Sequence, residues 1–168
     1  MSERVFNVLF LCTHNSARSV MAEALLAVLG GGRFRAFSAG SMPSGRVNPF
    51  AIEMAQSIGY RPAEFRSKCW DEFAAVGGPG MDIIITVCDD AAGEACPVWP
   101  GHPATAHWGF PDPSRVAGSD AEKRAAFDQV FLAIRRRVEL LVNLPLDKLE
   151  HLALKEALKH IGVGTAAA

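Results

Sequence analysis

The stretch from Val5 to Leu29 constrains this chain more than any other. Val5-Phe6-Asn7-Val8-Leu9-Phe10-Leu11 is almost continuously apolar, the pattern of a strand buried on both faces of a parallel sheet. It runs directly into the polar segment Cys12-Thr13-His14-Asn15-Ser16-Ala17-Arg18-Ser19. Met21, Ala24, Leu25, Val28 and Leu29 then recur at helical spacing, and Gly30-Gly31-Gly32 closes the helix. A strand, a polar loop and a helix start, in that order, put the loop at the carboxyl edge of a sheet. Open α/β sheets bind their ligands there.

The loop suits a tetrahedral anion. Successive backbone N–H groups of Thr13 to Ser19 can converge on one oxyanion, and the following helix adds its partial positive end. Arg18 supplies a planar, bidentate clamp. Cys12, at the mouth of this field, should be largely thiolate near neutrality, as comparable sites have pKa values of roughly 3.5–7.5. Ser19 is placed to donate a hydrogen bond to that thiolate, and Asn15 to pin the loop. The competing reading is a free cysteine at a strand end before an ordinary helix. The placement of Cys, Asn, Ser and Arg together at this junction argues against it.

The remainder alternates strand and helix. Arg33–Ala39 reads as a second strand, Gly40 to Gly45 as a turn-rich loop, and Asn48 to Ile58 as a helix stopped at Gly59. Met81–Val87 is a β-branched run ending at Cys88, and Ala91 to Pro113 is rich in Pro, Gly and Trp, with a short strand near Thr105–Trp108. Asp120 to Leu144 is a long helix with Phe127, Val130, Phe131, Ile134, Val138 and Leu141 on one side; Arg135-Arg136-Arg137 reads as its solvated face. The alternation predicts a single α/β domain over residues 1–145, a parallel sheet flanked by helices. A C-terminal helical extension and tail follow over 146–168, with Leu154, Ala157, Leu158 and Ile161 at helical spacing and Gly162 to Ala168 frayed. Its packing partner, this domain or another subunit, is left open.

The formal net charge of -1 gives no reason to expect nucleic acid or an anionic membrane as partner. No segment approaches the ~20 apolar residues of a membrane span, and no secretory signal pattern is evident. The expected location is cytoplasmic. Four cysteines in a reducing compartment point to catalytic, redox or metal chemistry rather than permanent disulfides. Cys88 and Cys96 are separated by seven residues, unlike usual zinc pairs, so no metal site is expected there. A redox pair or two inert thiols remain.

Cys12-Thr13-His14-Asn15-Ser16-Ala17-Arg18-Ser19, with Phe37-Ser38-Ala39-Gly40-Ser41, Ser67-Lys68 and Asp112-Pro113, resembles the low-molecular-weight phosphatase family, and within it the arsenate reductases. The likeness runs from Val5 through at least Leu144. It implies a four-stranded parallel sheet, Cys12 as nucleophile, Arg18 as clamp, Asp112 as general acid, and oxidation passed from Cys12 to Cys88 and then Cys96. The polar, glycine-containing segment between the last two would rearrange to let the sulfurs meet. External thioredoxin or glutathione–glutaredoxin would reduce the product disulfide. The resemblance also implies a potassium ion behind the loop, near Asn15, Glu23 and Ser38; the alternative is a solvent-facing Glu23.

The alternative within the family is a tyrosine phosphatase, needing Cys12, Arg18 and Asp112 but not Cys88. That branch usually carries a cysteine and a proline where Ala17 and Val20 stand, and aromatic residues where Ser114-Arg115 follow the Asp-Pro pair. Lacking that wall, a phosphotyrosine would lose about 1 kcal/mol of stacking. Residual phosphatase activity fits either branch, and a non-catalytic oxyanion-binding module is the third reading. His14 replaces a frequent glycine. Cys69 is read as a structural thiol, and His107 and Trp108 as packing or loop-ordering groups.

Overall fold

The computed structural model describes residues 4–75, 77–88 and 101–164. Strands β1 (Phe6–Cys12), β2 (Phe34–Gly40), β3 (Ile83–Thr86) and β4 (Ala104–His107) form one sheet in the order β2-β1-β3-β4. All three pairings are parallel. Helices are α1 (Arg18–Leu29), α2 (Pro49–Ser57), α3 (Asp71–Ala74), α4 (Asp120–Val142) and α5 (His151–Gly164). The expected four-stranded α/β fold is therefore present. No helix of the described residues is long and apolar enough to cross a membrane.

The apolar run that predicted β1 occupies the sheet's centre. Val8, Leu9, Phe10 and Leu11 are fully buried, with Val8 and Phe10 in the larger core and Leu9 and Leu11 in the smaller one with Phe73 and Met81. Alternate side chains thus enter opposite layers, as a strand's period of two requires. The predicted α1 stripe is only partly right. Val28 is 39% exposed, whereas Val20 and Ala22 are buried. The helix lies among β1, β2, α2 and α4, so its first half is enclosed and its last turn emerges.

The β3 run is shorter than expected because Asp82 serves as an anchor, accepting from the Asn7 N–H (2.8 Å) and from Arg4 (2.6 Å). Ser119 caps α4 through the Glu122 N–H (3.2 Å), and Asn48 caps α2 through the Phe50 N–H (2.9 Å), as N-cap chemistry favours.

The C-terminal helix packs on this same sheet. Helix α5 lies against β4 and α4, with Leu154, Leu158 and Ile161 in the larger core. The fully buried Trp108 donates its indole N–H to the Leu158 carbonyl (3.0 Å). Gly162 allows the close approach: a Cβ there would lie 2.7 Å from the His107 carbonyl oxygen and 2.9 Å from Trp108 Cδ1. The frayed tail expected from Gly162 is accordingly corrected, since the helix continues to Gly164. Residues 165–168 lie outside the described residues.

Trp108→Phe keeps the ring but removes the indole donor beneath a buried carbonyl. We expect a loss of about 1–3 kcal/mol, read as a lower urea midpoint, with α5 amides exchanging faster. An unchanged midpoint and unchanged exchange would show that the tryptophan does not anchor this helix.

Candidate active site

The loop at the end of β1 is built by turning its carbonyls outward. Thr13 O accepts from Met42 N–H (2.9 Å), His14 O from Ser44 N–H (3.1 Å) and Ser67 Oγ (2.9 Å), and Ser16 O from Asn48 N–H (2.9 Å). Asn15 is buried with φ +48°, a left-handed conformation that asparagine tolerates better than most residues. Its Nδ2 donates to Ser19 Oγ (2.9 Å) and its Oδ1 accepts from Lys68 N–H (2.8 Å). Asn15 therefore ties the loop to both α1 and the 67–70 segment, as its sequence position suggested. Gly40 backs the loop at close range: a Cβ would lie 2.5 Å from Thr13 O and 2.8 Å from Cys12 O. Ala17 gives α1 no side-chain cap, which leaves first-turn N–H donors for an anion.

Cys12 and Cys88 come together because β1 and β3 are neighbouring parallel strands. Leu11 pairs with Thr86, so the residues just beyond stand side by side, Cys88 one step further along than Cys12. Both side chains are buried, Cys12 at 4% exposure and Cys88 at 1%. Cys88 Sγ accepts from the Thr13 N–H (3.3 Å) and lies 3.7 Å from Thr13 Oγ1.

The Cys12 thiol is pulled down to about 5, chiefly by its hydrogen bond with the Cys88 side chain, against burial, which raises it. The Arg18 guanidinium and the N–H groups of Asn15 and His14 add to the lowering. Ser19 Oγ accepts from Asn15 Nδ2, which leaves its own O–H to donate, and the largest influence lowering the Cys12 thiol is the Cys88 side chain. The sequence also suggested that a mobile segment between Cys88 and Cys96 could let Cys88 meet Cys12 first and Cys96 afterwards; Cys88 already hydrogen-bonds the Cys12 thiol. Cys96, with the segment preceding it, lies outside the described residues.

Arg18 and Asp112 close the site. Arg18 Nη1 donates to the Phe110 carbonyl (3.0 Å), and Nη2 lies 3.5 Å from Asp112 Oδ2. Its Nε is buried without a partner among the described residues. Cys12, His14, Ser16, Ala17, Arg18, Asp112 and Ser114 line one cavity of about 30 Å³, so the thiol, the guanidinium and the carboxylate face the same space. Burial raises the Asp112 carboxyl, but hydrogen bonds from Ser114 Oγ (2.6 Å) and N–H (2.9 Å), with Arg18 and Arg115, hold it below the usual carboxylate range. Asp112 is thus ionised in the free protein. A bound dianion offsets Arg18 and repels the carboxylate, which raises its proton affinity.

The Cys12 shift sets a pH dependence. Alkylation of Cys12 by iodoacetamide should be near its plateau at pH 7 and fall as the pH drops through about 5. A rate still rising steeply between about pH 7 and 9, around an ordinary thiol value, would contradict the site's electrostatics. The same depressed value stabilises the fold most above the unfolded thiol's pKa, and that contribution disappears as the pH falls through the folded value.

Glu23 is neither solvent-facing nor arranged for potassium. Oε1 accepts from Ser38 Oγ (2.9 Å), Oε2 from Tyr60 OH (2.5 Å), and the Lys68 ammonium lies 3.9 Å away. Burial and Glu23 push the Tyr60 hydroxyl above its ordinary range. A carboxylate already serving two hydroxyls beside a lysine cation does not fit a second cation. Cys69 is half-buried and bridges to Gly40 beside β2. His107 bonds to Thr86 Oγ1 (2.7 Å), and Trp108 packs against Phe10, both as ordering groups. No cluster of three or more His, Cys, Asp or Glu suited to a metal occurs among the described residues.

Sequence reasoning missed Lys68, Tyr60, Ser114 and Arg137. The last was detectable: Val130, Ile134, Arg137 and Leu141 follow the same helical stripe, which puts Arg137 in phase with the core.

Comparison with known proteins accords with this geometry. The family model described as low molecular weight phosphotyrosine protein phosphatase matches residues 7–157. An arsenate reductase from Bacillus subtilis (strain 168) is 36% identical over 132 residues, 79% of this chain and 91% of that protein. The crystal structure of an arsenate reductase from Archaeoglobus fulgidus superposes with TM-score 0.62 at 32% identity, covering 82% of this chain and 99% of that one. A solved arsenate reductase in the phosphate binding state gives TM-score 0.62 at 29% identity, covering 82% and 97%.

Proposed function

The chain belongs to the low molecular weight phosphotyrosine protein phosphatase family, and from that premise we propose that it reduces arsenate to arsenite by a thiol relay. One observation carries the choice of reductase over phosphatase: a second buried thiol, Cys88, is hydrogen-bonded to the nucleophile Cys12. Ester hydrolysis can use it only to keep Cys12 ionised. Disulfide formation requires it.

The Cys12 thiolate attacks arsenic, forming an S–As bond as one arsenate oxygen leaves as water after protonation, with Asp112 as the proton donor. The loop N–H groups and Arg18 hold the remaining oxygens. Cys88 then attacks Cys12 Sγ. The S–S bond forms, the S–As bond breaks, and its electron pair stays on arsenic, which leaves as arsenite carrying the proton from Cys88. Cys96 attacks Cys88, freeing the Cys12 thiolate, and an external dithiol of the thioredoxin or glutaredoxin type supplies two electrons and two protons to the Cys88–Cys96 disulfide. A cytoplasmic location would provide that reductant. No step uses potassium.

Cys96→Ser protein exposed to one equivalent of arsenate should release one equivalent of arsenite and stop, trapped as a Cys12–Cys88 disulfide visible by peptide mass spectrometry. Sustained turnover in that variant would remove Cys96 from the relay. Absence of both arsenite and disulfide, with p-nitrophenyl phosphate still hydrolysed, would favour the phosphatase reading.

A further inference from the structure

Arg137 belongs to a basic run, yet its side chain is turned inward and the residue is only 7% exposed. Its Nη1 donates to the Gly109 carbonyl (3.1 Å), and its guanidinium carbon lies 4.3 Å from the centre of the Phe110 ring. These two residues form the peptide that reaches the oxyanion site. The Phe110 carbonyl accepts from Arg18 Nη1, and Phe110 N–H donates to Val87 O (3.3 Å), one residue before Cys88. The segment then continues to Asp112.

From this connected geometry we propose that Arg137 is a positioning residue for oxyanion binding, holding Gly109 and the Phe110 ring so that the Phe110 carbonyl orients the Arg18 clamp. A guanidinium is planar, so fixing one Nη by a hydrogen bond fixes the direction of the remaining donors. The Nε of Arg18, buried without a partner among the described residues, is thereby kept in the plane from which it can meet an anion. Burying a charge so deeply is unfavourable compared with an apolar side chain of the same volume, and helix packing alone would be served by a leucine or methionine. Among the described residues a guanidinium makes two contacts here that an apolar side chain could not: an N–H donor to Gly109 and a cationic face on Phe110. The inference rests on the oxyanion reading of the Cys12–Ser19 loop.

Phosphate affinity, measured by calorimetry on the whole chain, separates the two ideas. Arg137→Gln should weaken phosphate binding by about tenfold, the scale of a modest misorientation of a clamp, and raise the arsenate KM more than it lowers kcat. Arg137→Lys, which restores a cation and a donor, should recover part of the loss. In an Arg18→Ala background the effect of Arg137→Gln should vanish, since the two act through one contact. Unchanged phosphate affinity in folded Arg137→Gln overturns the inference, as does an equal loss with and without Arg18. Should the glutamine variant fail to fold, wild-type affinity in Arg137→Lys, which lacks the planar group, overturns it equally. If wild-type protein itself binds no phosphate, the loop reading fails first.

Discussion

Replacing Cys88 with serine should abolish arsenite turnover, by on the order of a thousandfold or more, the scale associated with loss of a reacting nucleophile. Serine retains a hydrogen-bond donor beside Cys12 but cannot form a disulfide, so the thiol–arsenic adduct has no route to electron transfer. Any hydrolysis of a phosphomonoester, which forms no sulfur–sulfur bond, would not depend on that step. Cys88→Ala separates the two contributions of this residue. The Cys88 hydrogen bond is the largest influence lowering the Cys12 thiol to about 5; its removal should move the alkylation midpoint upward, towards 9.0, the ordinary thiol value. Arsenite assays with an external dithiol, alongside alkylation rates from about pH 4 to 9, measure both effects. Wild-type arsenite turnover in Cys88→Ser would end the relay account, and an unmoved midpoint in Cys88→Ala would show that Cys88 does not tune the nucleophile.

Arg18→Lys should lower kcat/KM for arsenate by about 10²–10³, equivalent to about 2.7–4 kcal/mol, as loss of a preorganised donor set to a developing oxyanion does. Charge is preserved, so the loss isolates geometry. One edge of the guanidinium is held by the Phe110 carbonyl and Asp112, while Nε stays buried and unpaired among the described residues. An ammonium is a point charge and cannot satisfy the held edge and the anion together. Phosphate affinity should fall in parallel. A variant within about fivefold of wild type (about 1 kcal/mol) would mean that the loop N–H groups bind the anion without the clamp.

The physical pattern behind both results is a division of labour around one sheet edge. Strand pairing brings Cys88 to the same sheet edge as Cys12, outward-turned carbonyls leave N–H groups for the anion, and the segment after β4 brings Asp112 and the Arg18 anchor. Burial of Cys12 would by itself oppose its ionisation. The thiolate survives because the groups around it are donors or cations.

By itself the sequence determined the strand–loop–helix unit, the parallel sheet and the position of Cys12, Asn15 and Arg18 at its carboxyl edge. Those features are local: apolar continuity, helical period, and the residues at one junction. The strand ending at Cys88 put that thiol on the same sheet edge as Cys12, but only the tertiary structure decided that the two side chains hydrogen-bond, through a β1–β3 pairing between segments 75 residues apart. It likewise decided that Asn15 donates to Ser19, that Lys68 and Tyr60 occupy Glu23, and that Arg137 points inward. A side chain's nearest partners across space are set by how layers pack, and composition along the chain carries only the helical phase of that information.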